Sequence, residues 1–175
     1  MRKIALCLVL CLALSACSGP TAEEAARELV GGLELSGPVL TADVTADYGD
    51  RVYDFRLRYA DGIVTILSPE SIAGIEAEVK EDGVALRYDG AEVFTGTIAG
   101  ISPMSALPLF VNALGESYIV DARFGMDDTL EIDFRISDEV VLTAVFDRTS
   151  ELPVSAEVTE NGEMRLKITF YDVKL

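Results

Sequence analysis

The chain of 175 residues has no histidine, no tryptophan, three cysteines, and 14 Lys and Arg against 30 Asp and Glu, for a formal charge of −16. Each shortage excludes something. Without histidine there is no Ser-His-Asp or Cys-His nucleophile, no His-ligated zinc or haem, and no imidazole switch. The excess of acid repels phosphate backbones and anionic headgroups, which argues against nucleic-acid binding driven by counterion release. A glycosidase could in principle use paired carboxylates, but the stacking platform that tryptophan supplies to sugar clefts is missing. No G-x-S-x-G, S-x-x-K or Gly-rich phosphate loop occurs. The sequence therefore points to binding rather than catalysis, with no catalytic residue and no cofactor expected. Acids gather at Asp43, Asp47, Asp50 and Asp54, and at Asp121, Asp127, Asp128, Glu131 and Asp133, without a D-x-D-x-D-G loop. They are expected to form a solvated face, not a metal site.

What is present begins with Arg2 and Lys3, followed by an apolar run from Ile4 to Leu14. The run fits the roughly 7–15 residues of an export-signal core and falls short of the roughly 20 needed to span a bilayer. It ends in Leu14-Ser15-Ala16-Cys17, which resembles a bacterial lipobox. Cys17 could otherwise be a free thiol or half of a disulfide. Cys7 and Cys11, however, lie within the signal and would leave with it, so Cys17 would have no intramolecular partner. The expected organisation is a lipoprotein signal peptide over 1–16, a tether over 17–21 lipidated at Cys17, and one domain over 22–175. A diacylglycerol on Cys17 meets the two-chain condition for stable anchoring. Loss of Arg2 and Lys3 would move the charge from −16 to −18.

After the tether, Thr21-Ala22-Glu23-Glu24 has the form of a capping box, opening a helix expected to stop at Gly31-Gly32. From Leu40 the period becomes two. Tyr53, Phe55, Leu57 and Tyr59 share one face, opposed by Asp54, Arg56 and Arg58. The same alternation returns at Leu130, Ile132, Phe134 and Ile136, at Val140 to Phe146, and at Met164 to Phe170. Turn pairs Gly49-Asp50, Asp61-Gly62, Asp82-Gly83, Asp89-Gly90 and Asn161-Gly162 punctuate these runs at the spacing of an antiparallel meander. About eleven strands are expected, near 39–48, 51–60, 63–68, 74–80, 84–88, 91–98, 117–124, 129–137, 139–147, 153–160 and 163–173.

Residues 101–115 interrupt this pattern with Ser102-Pro103 as a helix start, Gly115 as a stop and apolar residues nearly all round. Pro108 is expected to break or kink the segment. Two uses of the alternating faces are open. The apolar side chains fill a core, or a curved sheet covered by two helices leaves a cavity for an acyl chain. Candidate cavity residues are Tyr53, Phe55, Leu57, Tyr59, Leu107, Phe110, Val111, Leu114, Leu130, Ile132, Phe134 and Phe146.

The closing phrases, Phe146-Asp147-Arg148, Leu152-Pro153-Val154, Asn161-Gly162 and Leu166 to Val173 with Thr169-Phe170-Tyr171-Asp172, resemble those of the lipoprotein-carrier (LolA-like) superfamily. The resemblance implies a mainly β fold: an unclosed half-barrel with an N-terminal and a mid-chain helix over its concave face. It further implies lipid or an acylated protein as ligand, carried or sensed at the cell envelope. The lipobox departs from the soluble carrier and suggests the anchored branch, a monomer held by diacylglyceryl-Cys17 on the extracytoplasmic face of the cell membrane or outer membrane. The alternative is an envelope interaction module with a filled core, acting through its acidic surface or an edge strand.

Overall fold

The computed structural model describes residues 19–36, 39–61, 63–80, 83–94, 110 and 118–174. The capping box forms as the sequence predicts: Thr21 N–H donates to the Glu24 carboxylate at 2.9 Å, and Glu24 N–H donates to the Thr21 hydroxyl at 3.3 Å. The Thr21 N–H foremost, and then the Thr21 hydroxyl, hold the Glu24 carboxyl below its ordinary pKa. Helix α1 (Ala22–Ser36) runs through Gly31 and Gly32, past the expected stop. Neither glycine takes the positive φ that a helix cap requires. Each costs about 1 kcal/mol relative to alanine inside a helix, which Leu33-Glu34-Leu35 behind them can sustain. The helix ends before Gly37-Pro38, where proline disfavours helical backbone in the residue preceding it. Ala26, Leu29 and Val30, at helical spacing, are buried, and α1 lies against the seventh and eighth strands.

Eleven strands follow: β1 (Leu40–Asp47), β2 (Val52–Ala60), β3 (Ile63–Ser68), β4 (Glu76–Lys80), β5 (Gly83–Tyr88), β6 (Ala91–Phe94), β7 (Tyr118–Phe124), β8 (Thr129–Arg135), β9 (Val140–Asp147), β10 (Pro153–Glu160) and β11 (Glu163–Lys174). They form one sheet in the order β6-β5-β4-β3-β2-β1-β11-β10-β9-β8-β7, every neighbour antiparallel. The outermost strands, β6 and β7, do not pair with each other, so the sheet is unclosed.

The hairpins rest on the turn chemistry seen in the sequence. Asn161 and Gly162 (φ 53° and 79°) and Asp89 and Gly90 (φ 49° and 77°) give two-residue loops with both central φ positive. In the β9–β10 turn, the Asp147 carboxylate accepts N–H bonds from Ser150 at 2.7 Å and Thr149 at 3.1 Å. Strand β4 starts two residues later than expected because Gly74, at φ 86°, belongs to the turn that returns its N–H to the Ile66 carbonyl at 2.8 Å. Strand β8 stops at Arg135 because the next residues turn, with the Ser137 hydroxyl accepting the N–H groups of Glu139 and Val140.

The chain must pass from the β6 edge to the β7 edge between residues 95 and 117. At about 4.8 Å per strand, those edges lie on the order of 48 Å apart measured along the sheet. The expected mid-chain helix falls in this crossover and, apart from Phe110, outside the described residues. Phe110 is helical and 3 % exposed, and its ring centroid sits 5.1 Å from that of Phe170 on β11, near the middle of the sheet.

Candidate functional site

One face of the sheet carries the apolar side chains of every long strand, and the register arranges them in rows. Phe134, Leu142, Val158 and Leu166 lie opposite one another across β8, β9, β10 and β11. The next row runs Ile132, Ala144, Ala156, Ile168, Ala46 and Tyr53 from β8 to β2. Beyond it, Leu130 faces Phe146, and Phe170 faces Val44, which faces Phe55. The middle row is low, with three alanines between rows of phenylalanine and leucine, and all three are at most 1 % exposed.

Of the candidate residues, Phe55, Leu57, Phe110, Leu130, Ile132, Phe134 and Phe146 belong to a single buried cluster, and Tyr59 packs half-buried against it. Tyr53 lies elsewhere. It is 37 % exposed at the β1–β2 end of the face, its ring edge-on to Tyr48 at 5.9 Å. The Arg51 guanidinium bonds its hydroxyl, which raises the arginine pKa. Leu107, Val111, Leu114 and Cys17 lie outside the described residues. Tyr48 is a site residue that the sequence does not single out, although it follows Ala46 by two positions and so shares the inward face. Its hydroxyl is buried with no hydrogen-bond partner among the described residues, and burial pushes its pKa above the ordinary phenol value.

The opposite face is acidic but heavily cross-linked. Arg123 holds Glu131 at 2.8 Å and Asp133 at 2.9 Å, and Asp133 also accepts the Thr143 hydroxyl at 2.7 Å. At the end of the sheet, between the β7–β8 and β9–β10 turns, Arg148 pairs with Asp128 at 2.6 Å and lies 4.3 Å over the Phe124 ring. A shallow groove of about 450 Å³ crosses this face where β1, β2, β3 and β11 meet, lined by Asp43, Thr45, Asp54, Arg56, Ser68, Pro69 and Tyr171 among others. It opens between two irregularities of register, one in the β1–β11 pair and one in the β2–β3 pair. Among the described residues no three acids or cysteines converge as metal ligands, and no helix is long and apolar enough to cross a membrane.

No protein-family model and no curated protein matches the chain. Solved structures do. An uncharacterized conserved protein from Thermus thermophilus superposes with a TM-score of 0.50 at 11 % identity, over 85 % of this chain and 86 % of that one. The two share one fold, which in this chain is a single unclosed antiparallel sheet of eleven strands. A LolA superfamily protein from Nitrosomonas europaea (TM-score 0.43, 12 % identity, 90 % and 94 % covered) and LprF from Mycobacterium bovis (TM-score 0.41, 11 % identity, 89 % and 95 % covered) are further neighbours. At these identities the likeness is one of fold alone. The unclosed antiparallel sheet is the one that the phrases in the closing strands imply.

Proposed function

We propose that this protein is a membrane-anchored, extracytoplasmic lipoprotein, held by a diacylglyceryl group on Cys17, whose half-barrel binds an apolar ligand such as a lipid or the acyl chain of a lipoprotein. One observation carries the proposal. A continuous apolar face runs from β3 through β2, β1, β11, β10 and β9 to β8, yet among the described residues it is covered by one helix, which packs on β7 and β8, and by Phe110. A helix is about 10 Å across, so α1 can roof only a few strands. Over the remaining strands the described cover is Phe110, packed on Phe170 of β11, and uncovering the face there breaks no strand pair. Binding would proceed by transfer of methylenes from water into the face, at about 0.8 kcal/mol each, with no covalent step. Native mass spectrometry of the exported protein, with solvent extraction of the retained lipid, tests this. Recovery of a stoichiometric lipid is the expected result, and a protein that holds none and takes up no fluorescent fatty acid refutes it.

A second reading follows from the groove on the acidic face. An interaction module would seat a basic segment of an envelope partner there, beside Asp43, Asp54 and the exposed Tyr171. Such association weakens steeply with salt, so partner capture that survives high salt argues against it.

A further inference from the structure

The Tyr48 hydroxyl is the buried side-chain polar atom that lacks a partner among the described residues. Its position follows from the chain. Ala46 and Tyr48 alternate with the outward Asp47, so the ring falls on the apolar side, and it packs against the core cluster. The neighbouring phenol does not serve it: Tyr53 meets it ring edge-on, with centroids 5.9 Å apart, and makes no hydrogen bond to it. The backbone is equally committed: Tyr48 N–H closes the β1–β2 turn on the Arg51 carbonyl at 2.9 Å. Burial keeps the phenol protonated and therefore a hydrogen-bond donor. Buried donors are almost always paired, and an orphan calls for a group that is not part of the chain. This one stands at the β1–β2 end of the low row that Ala46 shares with Ala144 and Ala156.

We infer that the Tyr48 hydroxyl donates to the carbonyl oxygen that heads a bound acyl chain, so that the ligand is an amphipathic acyl compound and not a plain hydrocarbon, with its polar end at the β1–β2 hairpin. The inference rests on the carrier reading and deepens it by fixing ligand class and direction. A carbonyl head could come from an ester, as in a lipid or lipoprotein, or from a free fatty acid.

The test uses the full chain carrying Cys17→Ser, so that no acyl group of its own competes, with and without Tyr48→Phe. Hexadecane, methyl palmitate and palmitate are titrated against a displaceable fluorescent probe. Methyl palmitate is expected to lose roughly fivefold in affinity on Tyr48→Phe, the worth of one neutral hydrogen bond, and the palmitate carboxylate roughly tenfold or more as a charged acceptor, with hexadecane unchanged. Loss for one of the two alone tells ester from acid. Ligand-free Tyr48→Phe is expected to unfold at the same or a higher urea concentration than the parent, because an unsatisfied polar atom has been removed. Equal affinities in parent and variant for all three probes overturn the inference but leave the carrier reading standing. So does a fall in the ligand-free urea midpoint, which shows that water already serves the hydroxyl. A parent protein that takes up none of the three overturns both.

Discussion

Phe110 packs on Phe170 near the middle of the sheet, and Phe110→Ala measures how much the closing of the apolar face depends on it. Burying a phenylalanine side chain is worth about 1.5–3 kcal/mol. Its tilted contact with Phe170, at 5.1 Å between centroids, adds the roughly 0.5–1.5 kcal/mol typical of aromatic pairs. A loss of about 2–4.5 kcal/mol loosens docking by roughly 30- to 1,600-fold at about 1.4 kcal/mol per tenfold. If the crossover is a separable cover, that loss falls on docking and not on the sheet. The folded variant should then bind the hydrophobic dye ANS well below its unfolding midpoint, with the strand amides still protected from hydrogen exchange. Phe134→Ala is the control. That residue is fully buried on β8, and its truncation should cost about 3–5 kcal/mol of global stability without making the native state bind dye. If Phe110→Ala behaves like Phe134→Ala, lowering the midpoint with no native dye binding, Phe110 is part of the cooperative core and the separable cover is refuted.

Three further outcomes are expected. Gly162→Ala should cost about 1–2 kcal/mol in urea denaturation, all of it backbone strain from a left-handed alanine, because nothing lies within 4 Å of an added Cβ there; an unchanged midpoint contradicts the turn assignment. The Ser150 N–H lowers the pKa of Asp147, and the Thr21 N–H lowers that of Glu24. Their stabilisation is therefore complete above the ordinary carboxylate pKa and lost as pH falls through the lowered folded values. Stability should thus drop less steeply between pH 5 and pH 2 in Asp147→Asn than in the parent, and parallel curves would count against the turn. Raising NaCl from about 0.01 M to 0.15 M shortens the Debye length from about 30 Å to 8 Å and screens the self-repulsion of a chain at −16. The thermal midpoint should rise, whereas a fall would mean that the ion pairs of the acidic face outweigh the repulsion.

The strands were legible because each is half wet: Arg51 to Tyr59 and Thr129 to Ile136 state their own period, and the Asp-Gly and Asn-Gly pairs state where each run turns. The end of α1 was not. Gly31-Gly32 reads as a stop only if the chain there adopts a left-handed conformation, a choice made by the residues on the C-terminal side of the pair. Pairing of β1 with β11 is equally silent in the periodicity, since an alternating strand does not name its neighbour, and the closing phrases supplied the half-barrel. At the site, burial of Phe55, Leu57 and Phe134 follows from their facing. Tyr53 shares that facing yet lies exposed, because it sits where the sheet face ends, beside the hairpin. Tyr48 was invisible for a different reason: whether a hydroxyl finds a partner is decided by groups remote in the chain.

The place of β11 governs how the molecule can assemble. Strands β1–β6 form one meander and β7–β10 another, each built from sequential hairpins that need only local chain closure. Strand β11 joins the two by pairing with β10 on one side and β1 on the other. The β1 pairing, Asp47 with Lys167 among others, must be drawn from the far end of the chain, the kind of long-range closure that slows folding. The last strand is therefore the keystone. A chain truncated before Glu163 is left with two half-sheets, each presenting an unpaired edge at what should have been the centre.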